Sequence, residues 1–368
     1  MRVLHVAESL PGGIATYLNE TLRLQTQTWG EANVYLLAPE SHLRFLAKDI
    51  RCKLIPYRRN GRNLTSLFRL LLALHAANAA MRPEIVHAHS TLAGAIVRIW
   101  GMLKRQRPAI VYCAHGWAFL RESKGWVNRL VAIVERWLAY ACDGICSISN
   151  YERAAALRAG LPSGHCRVIR YGISPRKETT QPIDLVLDPA KLNLFFIGRH
   201  DRQKGLDILL DAFRHLPTDR FSLYVAGARI LDKDKTSHQP LPNVHYLGWI
   251  NAEHVDAYYC RFDALLVPSR WEGFGLVVLE AMRNRLAVIA SDRGALPEIV
   301  QDGVAGRIFH LNDPQSLTDI LLHTDRAELA KFGDNGYRRY LEHFTVERMH
   351  RETLALYAAA LEQHQKVM

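Results

Sequence analysis

The sequence predicts an α/β protein built from two doubly wound domains, each a parallel sheet with helices on both faces. Three observations carry this. Short apolar runs alternate with longer amphipathic stretches along the chain, the pattern of strands joined by crossover helices. The series runs twice, on either side of a polar, proline-bearing stretch, SPRKETTQPIDL, that starts at Ser174. The length of 368 residues exceeds what one ordinary core accommodates.

In the first series the apolar runs predict strands near 2–6, 33–37, 85–88, 109–113, 144–147 and 166–169. Helical spacing predicts helices near 14–26, 64–80, 91–104, 126–140 and 151–158. The second series predicts strands near 193–197, 221–226, 244–247, 263–267, 287–290 and 306–308, and a closing helix over 347–364. The expected units are therefore 1–174, 175–346 and a terminal segment, 347–368. Ligands of such sheets bind outside the carboxyl ends of the strands, so two such domains facing one another are expected to share a central cleft.

Composition narrows the class. The apolar and charged fractions, 49% and 23%, are those of a soluble globular protein. Candidate apolar runs such as LVAIVERWLAYA are interrupted by Glu135 and Arg136, so no segment is expected to span a bilayer. The opening MRVLHVAES reads as a buried strand and not as a signal peptide, which predicts a cytoplasmic location. The six cysteines have no paired zinc-type spacing and are expected to be reduced, mostly buried thiols.

Charge is unevenly placed. Residues 1–180 hold 25 Lys and Arg against 11 Asp and Glu, whereas the remainder holds 22 against 25. Within 51–110 there are eleven basic residues and one acid, Glu84, with clusters at Arg58, Arg59, Arg62 and at Lys104, Arg105, Arg107. Between the clusters, Leu64, Leu67, Phe68, Leu71 and Leu74 fall at helical spacing. A basic surface beside an amphipathic helix suits an anionic membrane or a lipid diphosphate; a core-facing helix with a solvated arginine rim gives the same pattern. Nucleic acid is not expected, because no binding motif or run of interleaved aromatics accompanies the charge.

The segment VPSRWEGFGLVVLEAM carries the densest chemistry. Glu272 precedes Gly273-Phe274-Gly275, and Glu280 lies inside the helix that follows. Helical side chains lean toward the N-terminus, so Glu280 is expected to face the opening that Glu272 lines. Carboxylates accept from hydroxyls, and unobstructed N–H groups at a helix start suit phosphate, which together fit a nucleotide-sugar. Acids near a helix start that merely stabilise it are the competing account. A second polar loop, Gly198 to Gly205 after the apolar LFFI, holds Arg199 and Lys204, which could serve phosphate oxygens as a fork and a point charge.

Residues 265–280 resemble the signature of the family-four retaining glycosyltransferases, two-domain enzymes of the GT-B fold. Further motifs of that family follow in order: HVAESLPGGIATYL at 5–18, IVHAHS at 85–90, YCAHGW at 112–117, RYGIS at 170–174, LFFIGRHDRQKGLDILLDAF at 194–213 and ALPEIVQDGVAGRIF at 295–309. The resemblance implies transfer of a sugar from a UDP- or GDP-sugar to an acceptor hydroxyl with retained anomeric configuration and no metal or other cofactor. It implies that Arg199 and Lys204 bind the diphosphate, Glu280 the ribose hydroxyls and Glu272 the sugar hydroxyls, with Gly273, Phe274 and Gly275 adding contacts. It further implies that His115 reaches the donor sugar, that the loop with Gly12 and Gly13 lies near diphosphate and acceptor, and that the closing helix crosses back to the first domain. The Ile14-Ala15-Thr16-Tyr17 that follows those glycines departs from the family pattern, as does Arg293, which could meet an acidic donor or point to solvent.

Other residues support less. The glycines at 12 and 13 form neither a G-x-G-x-x-G fingerprint nor a Walker loop, which disfavours a dehydrogenase or a P-loop kinase. His87 and His89 have no further ligand cluster in the sequence and read as packing and hydrogen-bonding residues. Asp232-Lys233-Asp234 reads as a solvated loop and Arg202 as solvent-facing. With the basic first half, the expected acceptor is a lipid-linked or membrane-proximal glycan of bacterial surface polysaccharide assembly, at the inner face of the cytoplasmic membrane. A soluble acceptor, a GT-B epimerase and a non-catalytic donor-binding module are the alternatives.

Overall fold

The computed structural model describes residues 1–176, 183–228, 241–251 and 253–367. The chain divides into two compact units, residues 1–173 with 346–368, and residues 174–345.

Unit 1 holds a seven-stranded sheet of β1 (Val3–Ala7), β2 (Val34–Pro39), β3 (Lys53–Tyr57), β4 (Ile85–His89), β5 (Ala109–Cys113), β6 (Gly144–Ser147) and β7 (Cys166–Val168). All pairs are parallel, in the order β3-β2-β1-β4-β5-β6-β7. Helices α1 (Gly13–Trp29), α2 (Leu64–Met81), α3 (Thr91–Met102), α4 (Gly125–Ala139) and α5 (Asn150–Arg158) join the strands, and α12 (Val346–Val367) returns to pack on β5, β6 and α1. The strand β3 was not foreseen. Its sequence KLIPY carries a lysine and a proline and is largely exposed, the features of an edge strand, which hide it from an apolar-run criterion.

Strand alternation gives the sheet two unlike faces. Leu4, Val6, Val86, Ala88, Ile110, Tyr112 and Ile145 join one large apolar cluster with Leu70, Leu74, Ala77 and Val97 of α2 and α3. The opposite face carries His5, His87 and His89, and in the next rows Cys113 and Cys146, all buried. The helices α1 and α12 cover that polar face.

By length and composition α2 is sufficient to cross a membrane, with 18 residues and a mean hydropathy of 1.3. It has one charged residue, Arg69, and the rest of its polar positions are uncharged or histidine. Its buried Leu70, Leu74 and Ala77 make it a helix of this domain's core.

Unit 2 repeats the plan. Its sheet has the order β10-β9-β8-β11-β12-β13, from β8 (Leu192–Ile197), β9 (Phe221–Ala226), β10 (Val244–Gly248), β11 (Ala264–Val267), β12 (Ala287–Ser291) and β13 (Gly306–Phe309), all parallel. Around it lie α6 (Leu206–Phe213), α7 (Val255–Tyr259), α8 (Leu276–Arg283), α9 (Leu296–Val300), α10 (Ser316–His323) and α11 (Arg326–His343). In each unit the strand order reverses between the first strand and the fourth, β1/β4 and β8/β11. The chains leaving those strands diverge there and open a crevice.

Candidate active site

In unit 2 the loops after β8 and β11 meet at the switch point. The Nζ of Lys204 donates to Glu272 Oε2 at 2.5 Å, and Ser269 Oγ donates to the same oxygen at 3.3 Å. Both charged side chains are largely buried, 19% and 12% exposed. Two glycines enforce the approach. Gly205 has φ 71° and its missing Cβ would overlap the carbonyl oxygen of Pro268, so the two loops touch backbone to backbone. Gly294, after β12, has φ 60°, and a Cβ there would overlap the carbonyl oxygen of Glu272; Ala295 N donates to that oxygen at 3.3 Å.

Arg199 stands half exposed beside this pair, held by Asp201 at 2.9 Å and donating to Gln203 Oε1 at 2.8 Å, while Gln203 Nε2 donates to the Trp271 carbonyl. Glu280 projects from α8 and accepts from the Tyr259 hydroxyl at 2.9 Å. Burial raises its pKa; Arg283 and the Tyr259 bond oppose that rise, Asp256 adds to it and Lys204 opposes it. Lys204 therefore sits within electrostatic reach of both glutamates. Gly275, at φ 98°, starts α8, whose first turn has no acid and no side-chain cap; the Val278 N–H of that turn donates to the Gly275 carbonyl at 2.9 Å. Phe274 is buried against Phe344.

The structure thus gathers Arg199, Lys204, Glu272, Gly275 and Glu280 at one sheet's carboxyl edge. It also supplies Ser269, Gln203 and Tyr259, which sequence reasoning missed: Gln203–Trp271 and Tyr259–Glu280 are separated by 68 and 21 residues, and Ser269, three residues from Glu272, carries no signal of its own until the loop folds back. Arg202 is exposed. Arg293 is held by Asp292 at 3.1 Å and donates to Asn312 at 2.6 Å, so it forms part of a surface ion pair. Asp232-Lys233-Asp234 lies outside the described residues.

In unit 1 the corresponding switch point is built from imidazoles. His5 Nε2 faces Gln25 Oε1 at 2.7 Å, His5 Nδ1 faces His89 Nε2 at 2.9 Å, His89 Nδ1 faces His115 Nε2 at 2.8 Å, and His115 Nδ1 faces the Tyr171 hydroxyl at 2.5 Å. With the amide oxygen of Gln25 accepting, every tautomer follows: His5, His89 and His115 each donate from Nε2, and Tyr171 donates to His115. The Nε2 of Gln25 then donates to Tyr357 at 3.3 Å, whose hydroxyl donates to His87 Nδ1 at 2.7 Å, and His87 Nε2 is left buried and unpartnered. Burial holds all four rings neutral, with the pKa of His5 lowered to about 4, that of His115 to about 3, and those of His87 and His89 well below the usual value.

This corrects the expectation that no further ligand cluster accompanies His87 and His89. His5 brings a third ring, and one nitrogen of each lies within 4.8 Å of the others. The 2.9 Å separation of His5 and His89 nitrogens is shorter than the about 3.3 Å that two ligands of one tetrahedral zinc would keep, and the nitrogens bond to each other. The arrangement is that of a hydrogen-bonded imidazole chain. Both ring nitrogens of His115 are engaged within the unit, and its backbone takes φ 53°, rare for a non-glycine residue. Glu152, buried below, accepts from the Trp117 and Ile148 N–H groups; burial outweighs those bonds and raises its pKa to about 7.

Gly12, at φ 86°, has open space where a Cβ would be, so its loop needs glycine for its torsion. Gly13 opens α1, which has no acid in its first turn. Next to this loop Glu8 is buried between Arg59 at 3.2 Å and Arg62 at 3.5 Å. Arg107 pairs with Asp143 at 2.5 Å, where His364 of α12 also approaches. The six arginines and lysines expected to form one basic surface are therefore split. Arg59, Arg62 and Arg107 are in ion pairs, and the clusters stand at opposite ends of the parallel strands, one past the carboxyl end of β3 and the other before the amino end of β5. Arg58 and Arg105 remain exposed.

With this geometry in view, the family models divide the chain between them: the Glycosyltransferase Family 4 model matches residues 11–177 and the Glycosyl transferases group 1 model residues 178–339. The chain belongs to the group 1, family 4 glycosyltransferases. The enzyme is 31% identical to an uncharacterized 41.2 kDa protein in the cps region of Klebsiella pneumoniae, across 92% of this chain and 96% of that one. It is 30% identical to the lipopolysaccharide core biosynthesis mannosyltransferase LpsB of Rhizobium meliloti, across 53% of this chain and 61% of the relative. A crystal structure of Anabaena HepE in complex with UDP-glucose superposes with a TM-score of 0.78 at 18% identity, covering 96% of this chain and 99% of that one, which establishes the GT-B fold.

Proposed function

We propose that this glycosyltransferase moves a sugar from a nucleoside diphosphate, UDP or GDP, to a hydroxyl of a lipid-linked or membrane-proximal glycan in surface polysaccharide assembly, with retention and without a metal. The observation that carries the reading is the Lys204–Glu272 pair flanked by Arg199 and Glu280 before an acid-free helix start. Lys204 and Arg199 meet the diphosphate, where charge grows as the anomeric bond breaks, and so favour the transition state over the ground state. Glu280, with one oxygen held by Tyr259, takes the ribose hydroxyls, and Glu272 those of the sugar. The acceptor oxygen forms its bond to the anomeric carbon on the face from which the phosphate leaves, and its proton passes to the departing phosphate oxygen. Fixed cations and helix N–H groups make a divalent ion unnecessary in this scheme. A relative acting in lipopolysaccharide core biosynthesis and a structural neighbour holding UDP-glucose support the acceptor and donor classes.

The test is release of free nucleotide from a panel of UDP-, GDP- and ADP-sugars, with chelator present and membrane extract as acceptor. Release from one donor, dependent on extract and at least a hundredfold lower in Glu272→Ala, is expected. Donor binding without release across the panel would favour a non-catalytic binding module, and loss of release with chelator would refute the metal-free scheme.

A further inference from the structure

The helix α4 is built inside out. Its inward Glu135 is buried and accepts from Arg98 of α3 at 2.8 Å and from the Tyr112 hydroxyl at 3.0 Å, with the guanidinium lying 3.9 Å over the Tyr112 ring. Its outward side is apolar. Trp126 is 66% exposed, Trp137 74% and Tyr140, just past the helix, 66%, and Leu130, Ile133 and Val134 are exposed between them. At 3.6 residues per turn the five apolar positions from 126 to 137 fall within an arc of roughly 100°, opposite the buried Glu135, Leu138 and Ala139. A helix of a soluble domain places such a stripe in the core, and a contiguous exposed one marks an interaction surface.

We propose that α4 is an interfacial helix that lies in the headgroup plane of an anionic bilayer, with its tryptophans inserted and its arginines on phosphates. Charge complementarity selects this occupant. Arg129 and Arg136 flank one side of the stripe and Lys124 stands at its head, all exposed, while the helix's one acid is the buried Glu135. Tryptophan and tyrosine at both ends suit the headgroup zone, where an amphipathic ring meets apolar and wet surroundings together. A second copy of the chain on this face would set arginines against arginines. The neighbouring end of α3, which packs on α4, continues the surface with exposed Met102, Leu103 and Arg105. The inference deepens the membrane-proximal reading above and rests on the acceptor part of it, not on the donor.

The test is flotation of the full chain with vesicles of phosphatidylethanolamine and phosphatidylglycerol, compared with phosphatidylcholine alone. The wild type is expected to float with anionic vesicles and Trp126→Ser/Trp137→Ser to lose at least tenfold in bound fraction. Arg129→Glu/Arg136→Glu should lose the preference for anionic lipid. All four positions are exposed, so thermal unfolding should be unchanged. Equal flotation of the tryptophan variant, no flotation of the wild type, or a dimer that these substitutions dissolve would each overturn the proposal. Nucleotide binding, followed separately by calorimetry, distinguishes failure of this surface from failure of the donor site.

Discussion

Acid should destabilise unit 1 in a window set by the buried imidazole chain. His5, with a pKa near 4, and His115, near 3, stay neutral in the fold where an unfolded histidine would take a proton below about 6.5. The unfolded state therefore binds more protons from pH 6.5 down toward 4, and stability falls as pH falls through that range. Between pH 7.5 and 5 each such ring costs about 2 kcal/mol, a figure fixed by the unfolded state once the folded pKa lies well below 5. His5 and His115 together give about 4 kcal/mol, and His87 and His89, whose pKa values burial also lowers, act in the same direction. Glu152 works against them. Its folded pKa near 7 lies above the ordinary 4.5, so the fold holds the extra proton and gains about 2 kcal/mol over the same interval. The net loss from His5, His115 and Glu152 is roughly 2 kcal/mol, to which His87 and His89 add, a large fraction of a domain's stability. Urea unfolding followed between pH 7.5 and 5 should show the transition moving to lower urea toward the acid end. His87→Gln, which removes one ring while leaving an amide near Tyr357, should reduce the pH-dependent loss. Stability that is flat over this range, or an unchanged slope in the variant, would refute the neutral-chain assignment.

Two further substitutions probe unit 2. Gly294→Ala must push its Cβ away from the Glu272 carbonyl, so turnover should fall at least tenfold while secondary structure by circular dichroism is retained; normal turnover would show that this loop does not set Glu272. Tyr259→Phe leaves Glu280 without its hydroxyl donor, a loss of about 1 kcal/mol that should appear as a several-fold higher KM for donor with kcat little changed.

Much of the fold was legible because apolar runs and helical spacing report burial directly. Twelve of thirteen strands were expected near their observed places, and the missing one, β3, is an edge strand whose lysine and proline break the apolar signal. The candidate unit 2 site was legible as residue types, since Arg199, Lys204 and Glu272 sit in loops, where function concentrates, and Glu280 in the helix that follows Glu272. Their partners were not, because Tyr259 and Ser269 are ordinary residues until folding sets them beside a carboxylate. The imidazole chain was hidden for the same reason: His5, Gln25, His89 and Tyr357 are separated by tens to hundreds of residues and meet only when α1 and α12 close over one face. The outward stripe of α4 escaped because helical spacing says that a face is apolar and not which way it points.

The resting contact between Lys204 and Glu272 has a consequence for binding. A largely buried ammonium already paired with a carboxylate gains little from a second anion, because an arriving phosphate competes with Glu272 for the same charge. Glu272→Gln removes the competing charge at nearly constant shape and leaves Lys204 to seek another anion. The variant should therefore bind nucleoside diphosphate more tightly, by about tenfold if the freed attraction is on the order of 1.4 kcal/mol, while losing turnover because the sugar hydroxyls lose their acceptor. Titration calorimetry with UDP and GDP reads the first effect and nucleotide release the second. Weaker diphosphate binding in Glu272→Gln would mean that the glutamate holds Lys204 in place for phosphate and does not compete with it, which would reverse the electrostatic account of the pair.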